Sequence, residues 1–247
     1  MKLILPLLVF LTTVLNAHFQ ILIPKNDVVT TSKKQTIDLA FMHPFEQTYM
    51  QMEKPNFFGY FLDGKKIDLT NKLKASKVKD FKTWSYTQKF KEMGDYQFFV
   101  DPKPYFEPSE GKFIRHLTKT IIDVHNAGEG WDQPIGVKAE IVPLTRPYSL
   151  YTSNIFSATV LYKGKPVPYA YIEVEYLNTN KKEAPTDGHI TQVIKADANG
   201  VFHFAMPKTG WWGFAALIDD DVTINKDGKE YPVELGALIW VKTYEMK

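Results

Sequence analysis

Alternating apolar and polar residues recur in short runs along the chain, and turn residues separate these runs. A period of two is the pattern of β-strands that bury one face. In the first half the runs cover residues 19–23, 36–43, 57–62, 65–69, 84–90, 96–100 and 113–124. Asp63-Gly64, between two of them, predicts a β-hairpin. The lysine-rich residues 72–82 are the one candidate for a helix in this half, and a solvated loop fits them equally well.

The second half has its own set of runs. A loop rich in glycine and acidic residues (126–134), followed by Pro143 and Pro147, separates the two halves. About seven short strands in ~100 residues, each bounded by turns, are typical of an immunoglobulin-like sandwich. We therefore predict an all-β protein with two β-sandwich domains, residues 18–142 and 143–247. The second would be immunoglobulin-like, or carboxypeptidase-regulatory-like.

The first 17 residues have the order of a secretory signal. Lys2 is followed by an apolar stretch, residues 3–15, and then by the small residue Ala17. The stretch is shorter than the roughly 20 apolar residues that span a bilayer. An uncleaved anchor is the alternative. We expect cleavage after Ala17, export to the periplasm, and His18 as the first residue of the mature protein.

Composition narrows the choice of partners. The chain has 30 basic and 28 acidic residues, so charge gives no reason to expect nucleic acid as a partner. It has no cysteine, which excludes disulfides, thiolate metal sites and lipoprotein anchoring. Small exported eukaryotic domains usually rely on disulfides, so a bacterial periplasm is favoured. Any metal would be held by nitrogen, oxygen or thioether ligands.

His18 would become a chelating residue after cleavage. Its free α-amine and its imidazole Nδ1 could then bind one metal ion together, because both lose their protons readily near neutral pH when a metal competes. This nitrogen pair suits Ni²⁺, Co²⁺, Cu²⁺ or Zn²⁺. The alternative is that histidine is simply the residue that cleavage happens to leave first.

Two further histidines lie on predicted strands of the first half. His43 ends its strand on the face shared by Ile37, Leu39 and Phe41. It could line the mouth of a pocket or be an ordinary core histidine. His116 alternates with apolar and threonine residues, so it faces inward and needs a hydrogen bond or a metal as its partner.

The other histidines are weaker candidates. His125 opens the glycine-rich loop, His189 lies in a polar loop, and His203 alternates within the second half. The sequence has no hydrolase nucleophile motif, no phosphate-binding glycine loop and no His-Glu-x-x-His, so we predict that the chain is not an enzyme. Glu173 and Glu175 are expected on the solvated outer face of a strand.

Several segments, taken in order, resemble the exported DUF4198 family. They are Ala-His-Phe at 17–19, Phe-Met-His-Pro-Phe-Glu at 41–46, Gly-Asp-Tyr at 94–96, Pro-Lys-Pro-Tyr at 102–105, Phe-Ile-Arg-His-Leu-Thr-Lys at 113–119, Gly-Trp-Asp at 130–132, Glu-Ile-Val-Pro-Leu at 140–144, Asp-Ala-Asn-Gly-Val-Phe at 197–202 and Gly-Trp-Trp-Gly-Phe-Ala-Ala at 210–216. The family includes the periplasmic, NikK-like component of bacterial nickel and cobalt uptake systems.

The resemblance implies a periplasmic protein that captures a divalent transition metal and assists a membrane permease and ATPase. It points to His18, His43 and His116 as the metal ligands, with Ni²⁺ as the cargo and Co²⁺, Cu²⁺ or Zn²⁺ as alternatives. Two other functions stay open. One is a copper redox enzyme, in which an N-terminal histidine and a second histidine form a copper brace. The other is a structural two-module surface protein.

Overall fold

The computed structural model of the protein describes residues 18–30 and 34–246, and the predicted signal peptide lies outside this part. Within these ranges the first half contains twelve strands and one 3₁₀ turn. In chain order they are β1 (Phe19–Pro24), β2 (Val28–Val29), β3 (Lys34–His43), β4 (Thr48–Met50), β5 (Phe57–Leu62), β6 (Lys65–Asp68), the 3₁₀ turn (Thr70–Lys72), β7 (Lys74–Val78), β8 (Phe81–Lys89), β9 (Gly94–Asp101), β10 (Tyr105–Glu107), β11 (Lys112–Val124) and β12 (Ala139–Pro143).

The second half, described to residue 246, contains eight strands and one short helix. They are β13 (Leu150–Tyr151), β14 (Ile155–Tyr162), β15 (Lys165–Pro166), β16 (Tyr171–Tyr176), α1 (Asp187–Ile190), β17 (Gln192–Lys195), β18 (Val201–Ala205), β19 (Gly210–Lys226) and β20 (Lys229–Tyr244). The prediction of an all-β fold is confirmed. No helix in the described ranges is both long and apolar enough to cross a membrane.

The strands form three sheets. The first sheet has the order β1-β3-β8-β7, with β4 paired to β3. The central sheet has the order β17-β16-β19-β20-β11-β9-β5-β6, with β2 and β10 on β11 and β13 on β20. The third sheet has the order β12-β14-β15, with β18 on β14. The first and third sheets lie on opposite faces of the central sheet.

The central sheet contributes to an apolar core on each of its faces. Ala215, Leu238 and Trp240 belong to the core under the first sheet, whereas Phe214 and Ile239 belong to the core under the third. This division follows from the alternation of side chains along β19 and β20. Full burial of a side chain such as Phe214 contributes ~1.5–3 kcal/mol to stability. One sheet therefore supports two sandwiches.

β1 is attached directly to the central sheet. The Trp240 indole Nε1 donates a hydrogen bond to the backbone oxygen of Gln20 at 2.9 Å. Phe19 lies over Gly213, where a Cβ atom would come within 2.9 Å of the phenyl ring. A side chain at position 213 would therefore push β1 away, and His18 with it.

The structure differs from the prediction for residues 72–82. It also places strands of both predicted domains in one sheet. Residues 72–82 are mostly strand, because they contain β7 and the start of β8, joined by a turn at residues 79–80. All of β7 is exposed, so its sequence lacks the apolar alternation of a buried strand. The boundary between residues 142 and 143 stays a prediction. Across it, β11 and β20 pair in parallel within one sheet.

Candidate metal centre

His18 and His43 lie side by side because of the pairing between β1 and β3. The antiparallel register sets Phe19 opposite Met42, which places the residue before Phe19 beside the residue after Met42. The two imidazole rings have centroids 4.6 Å apart and are inclined by 50°. His18 is 9% exposed. Two histidines that are distant in sequence thus meet at one end of the first sheet.

His116 joins this pair from the central sheet. It is 1% exposed and lies over Gly236 of β20, where a Cβ atom would come within 2.3 Å of the imidazole Cδ2. The Phe41 ring contacts both His18 and His116, with its centroid 5.7 Å from that of His18 and 6.3 Å from that of His116. The structure therefore brings His18, His43 and His116 to one location, and Gly236 provides the space for the third.

A carboxylate lies behind each of two rings. Glu107 of β10 contacts His18 Nε2 at 3.2 Å, and Glu234 of β20 contacts His116 Nε2 at 3.4 Å. The Nδ1 atom of His116 is buried and has no hydrogen-bond partner in the described part of the chain. A carboxylate that holds one ring nitrogen fixes the tautomer and leaves the other nitrogen for a metal. Neither glutamate was singled out from the sequence.

The electrostatics of the site favour neutral imidazole beside anionic carboxylate. Burial, together with the neighbouring His43 and His116, lowers the pKa of His18 to about 4. Burial acts to raise the pKa of Glu234, but its contacts with His116 and Lys112 lower it to about 2. At neutral pH a neutral His18 has a free lone pair, and Glu234 carries a negative charge that would balance a cation.

The donor set fits a nitrogen-preferring divalent ion, but it is not a finished coordination shell. Within residues 18–30 and 34–246, no three His, Asp or Glu side chains are already arranged to hold a metal ion. Three imidazoles, an unpartnered Nδ1 and two carboxylates nevertheless share one location.

Glu175 corrects the expectation that its strand face is solvated. It is only 1% exposed, because the turn that follows His43 covers it. One carboxylate oxygen accepts a hydrogen bond from the backbone N–H of Phe45 at 3.3 Å, and the other accepts one from the Thr191 hydroxyl. Burial raises the pKa of Glu175 to about 8. Glu175 thus anchors the chain two residues beyond His43.

The remaining histidines lie elsewhere. His125 Nδ1 lies 3.2 Å from the backbone oxygen of Thr30. The ring nitrogen Nδ1 of His189 pairs with Thr186, and that of His203 pairs with Ser157. His189 and His203 are both exposed. Local polar contacts account for these three residues.

Comparison with protein-family models identifies the family of this chain. Residues 15–220 match the model described as a domain of unknown function, DUF4198. The chain belongs to the DUF4198 family. No curated protein matches the sequence. The family description assigns no activity, so the resemblance to metal-uptake components stays a proposal.

Several solved structures with immunoglobulin or fibronectin domains also match this DUF4198 protein. The fibronectin(III)-like modules of Clostridium thermocellum CbhA are 10% identical, with 92% of this chain and 95% of that chain covered and a TM-score of 0.22. The Yersinia pseudotuberculosis adhesin InvE is 14% identical, with coverage of 89% and 58% and a TM-score of 0.22. The titin tandem A164-A165 is 12% identical, with coverage of 89% and 97% and a TM-score of 0.22. At these TM-scores the matches say nothing about the site.

Replacing Gly236 with Ala should destabilise the protein by about 1–3 kcal/mol, the usual cost of overpacking a filled core. The added methyl group would overlap the His116 ring. Urea unfolding of both proteins measures the difference. Gly188→Ala is the matched control, since only the Thr186 hydroxyl lies within 4 Å of that position. Equal stability of Gly236→Ala and wild type would contradict the packing described.

Replacing Glu175 with Gln should stabilise the protein at alkaline pH relative to wild type. In the folded state the pKa of Glu175 is raised from 4.5 to about 8. The protonated side chain therefore contributes its full stabilisation of the fold below about pH 4.5, and this stabilisation is lost as the pH rises through 8. Each unit by which the pKa is raised corresponds to ~1.4 kcal/mol in the free energy of unfolding. Urea unfolding at pH 5, 7 and 9 should show a difference that grows with pH. The exposed Glu92→Gln should show none.

Proposed function

We propose that this DUF4198 protein is a non-catalytic periplasmic carrier of a divalent transition metal, with Ni²⁺ or Co²⁺ as its cargo. It would deliver the ion to a membrane permease and ATPase that take up the metal. The observation that carries the proposal is the meeting of His18, His43 and His116, with carboxylates behind two of the rings.

The position of His18 supports a chelate with the chain terminus. β1 begins at Phe19, so a chain cleaved after Ala17 would place its α-amine on the residue that already lies in the cluster. Glu107 contacts Nε2 of His18, and a proton on Nε2 would leave Nδ1 to chelate together with the amine. The pairing of β1 with β3 holds both groups next to His43.

The donor types support a carrier of Ni²⁺ or Co²⁺. Imidazole and amine nitrogens suit these ions, whereas the chain has no cysteine that would bind softer ions tightly. A carrier has to release its cargo, and neutral nitrogen donors release a metal as they take up protons. The anionic Glu107 and Glu234 would compensate the charge of the ion without binding it directly.

A copper brace is the second candidate, since His18 and His43 have ring centroids only 4.6 Å apart beside the predicted N-terminus. His116 argues for the carrier, because this third imidazole is 99% buried under the same cluster. Copper-dependent oxidation by the processed protein would favour the enzyme. Failure of the processed protein to bind any metal would favour a structural module.

Replacing His43 or His116 with Ala should weaken nickel binding by about ten- to a thousandfold, since each tenfold step corresponds to 1.4 kcal/mol of lost ligand interaction. Calorimetric titration of the processed protein with NiCl₂ measures the affinity, and circular dichroism checks the fold. His189→Ala is the matched control, because its ring is exposed and its Nδ1 pairs with the Thr186 hydroxyl, away from the cluster. Equal nickel affinities for the three variants would show that His43 and His116 are not ligands of the metal.

Adding one glycine before His18 should remove most of the nickel affinity while every imidazole remains. The addition converts the α-amine into an amide, which donates poorly near neutral pH. Intact mass first establishes that the periplasmic form begins at His18, and calorimetry then compares the two proteins. Binding to the unextended protein should also weaken between pH 7 and 6, because protons compete for amine and imidazole. Indistinguishable affinities would exclude the amine as a ligand.

A further inference from the structure

Two aspartates, Asp95 of β9 and Asp123 of β11, lie opposite each other in the central sheet. The antiparallel register pairs them directly, and each is only 3% exposed. Directly opposed residues project their side chains from the same face of a sheet, with Cβ atoms about 4.5–5.5 Å apart. Two carboxyl groups are therefore held side by side in the interior, far along β11 from His116.

The hydrogen bonds of this pair require one proton. Asp95 Oδ2 accepts a hydrogen bond from the Tyr148 hydroxyl at 2.8 Å, and Asp123 Oδ1 accepts one from the backbone N–H of Ala127 at 2.9 Å. Asp95 Oδ1 is buried and has no hydrogen-bond partner in residues 18–30 and 34–246. A proton on one carboxyl group would let it donate to the other and would satisfy this atom. Two adjacent buried carboxyl groups do not both ionise readily, because their charges repel each other.

The surroundings of Asp95 favour its protonated form. Burial raises the pKa of Asp95 to about 7, and the neighbouring Asp123 adds to this shift. The Tyr148 hydrogen bond and Arg146, whose guanidinium lies 5.7 Å from the Tyr148 ring centroid, act in the opposite direction. The protonated carboxyl group therefore stabilises the fold fully below about pH 3.8, and this contribution is lost as the pH rises through about 7.

The other elements packed around the pair add negative charge. Asp63, in the turn between β5 and β6, and Glu129, in the loop after β11, line a cavity of about 110 Å³ together with Asp95. Asp27 contributes its backbone oxygen, which accepts the N–H of the paired aspartate of β11 at 2.8 Å. The Nδ1 atom of His125 lies 3.2 Å from a backbone oxygen just after β2. A lost proton would leave two negative charges side by side, with further acidic groups nearby.

The pair is one of the attachments of the glycine-rich loop, residues 126–134. Asp123 holds the N–H of Ala127 at the start of the loop. Gln97, the next residue of β9 on the same face, donates from Nε2 to two backbone oxygens of the loop at 2.8 and 2.9 Å. Trp131 packs, partly buried, against the core under the third sheet. A change of charge at the pair would therefore act directly on the loop.

We propose that Asp95 and Asp123 share one proton and form a pH-sensitive switch that holds the loop of residues 126–134 on the central sheet. With the proton in place, the pair accepts the Tyr148 hydroxyl and the Ala127 N–H at once. Loss of the proton makes the two carboxylates repel each other, and movement of Asp123 away from β9 takes the start of the loop with it. The loop is closed at acidic pH and opens as the pH rises above neutrality. This switch does not depend on the carrier function.

Hydrogen–deuterium exchange of the full mature chain tests the switch. Protection of peptides from residues 126–134 is measured by mass spectrometry from pH 6 to pH 9, after correction for the intrinsic pH dependence of amide exchange. We expect this protection to fall about tenfold or more over that range, since each pH unit above the pKa lowers the protonated fraction about tenfold. Peptides from β1 and β3 should keep their protection.

Two variants replace the shared proton with an amide N–H. Asp95→Asn and Asp123→Asn each leave a single carboxylate in the pair, so the loop should stay protected at pH 9 in both. Urea unfolding at pH 6 establishes that each variant is folded, and either folded variant is sufficient. Glu129→Gln is the matched control, because it removes a carboxylate from the same cavity and should retain the wild-type transition.

Three results would overturn the proposal. Protection of the loop that is independent of pH in the wild-type protein would show that no switch exists. A transition that persists in a folded Asn variant would show that the pair is not its cause. An equal loss of protection in β1 and β3 would show global unfolding instead of release of the loop.

Discussion

Eight consecutive residue pairs join β11 to β20 in parallel, from Phe113 opposite Val233 to Thr120 opposite Trp240. This pairing fuses strands from the two halves of the chain into one sheet that serves both cores. It also sets His116 directly against Gly236 and brings Glu234 to the same end of the sheet. Without it, the first sheet would have no surface on which to pack β1, and His116 would not join His18 and His43.

Burial and neighbouring charges change the protonation of two groups in the candidate site, His18 and Glu234. His18 stays neutral well below the pH at which a solvated imidazole is protonated. Glu234 stays charged despite its burial because His116 and Lys112 contact it. A neutral donor beside a fixed negative charge attracts a cation and rejects a proton. Aromatic rings pack against His18 and His116 and lower the local dielectric constant. Charges interact more strongly in such surroundings than in water.

Local pattern was enough to predict most of the longer strands and the inward direction of His116, because side-chain alternation is a property of each strand alone. It could not predict Glu107 or Glu234, whose positions depend on pairings between distant strands. The error on Glu175 has the same origin, since a turn from another part of the chain covers its face. The exposed β7 was missed because it lacks an apolar face.

The order in which strands join has a consequence for how the protein reaches its native state. β20 is the last strand of the described chain, yet it lies inside the central sheet, between β19 and β11. A nascent chain still on the ribosome, or one shortened at its C-terminus, would leave both cores open on either side of a gap. The central sheet therefore cannot close until β20 is in place, and pairings between such distant segments form slowly. Because both cores gain this shared strand in one step, the folding of the two sandwiches is coupled.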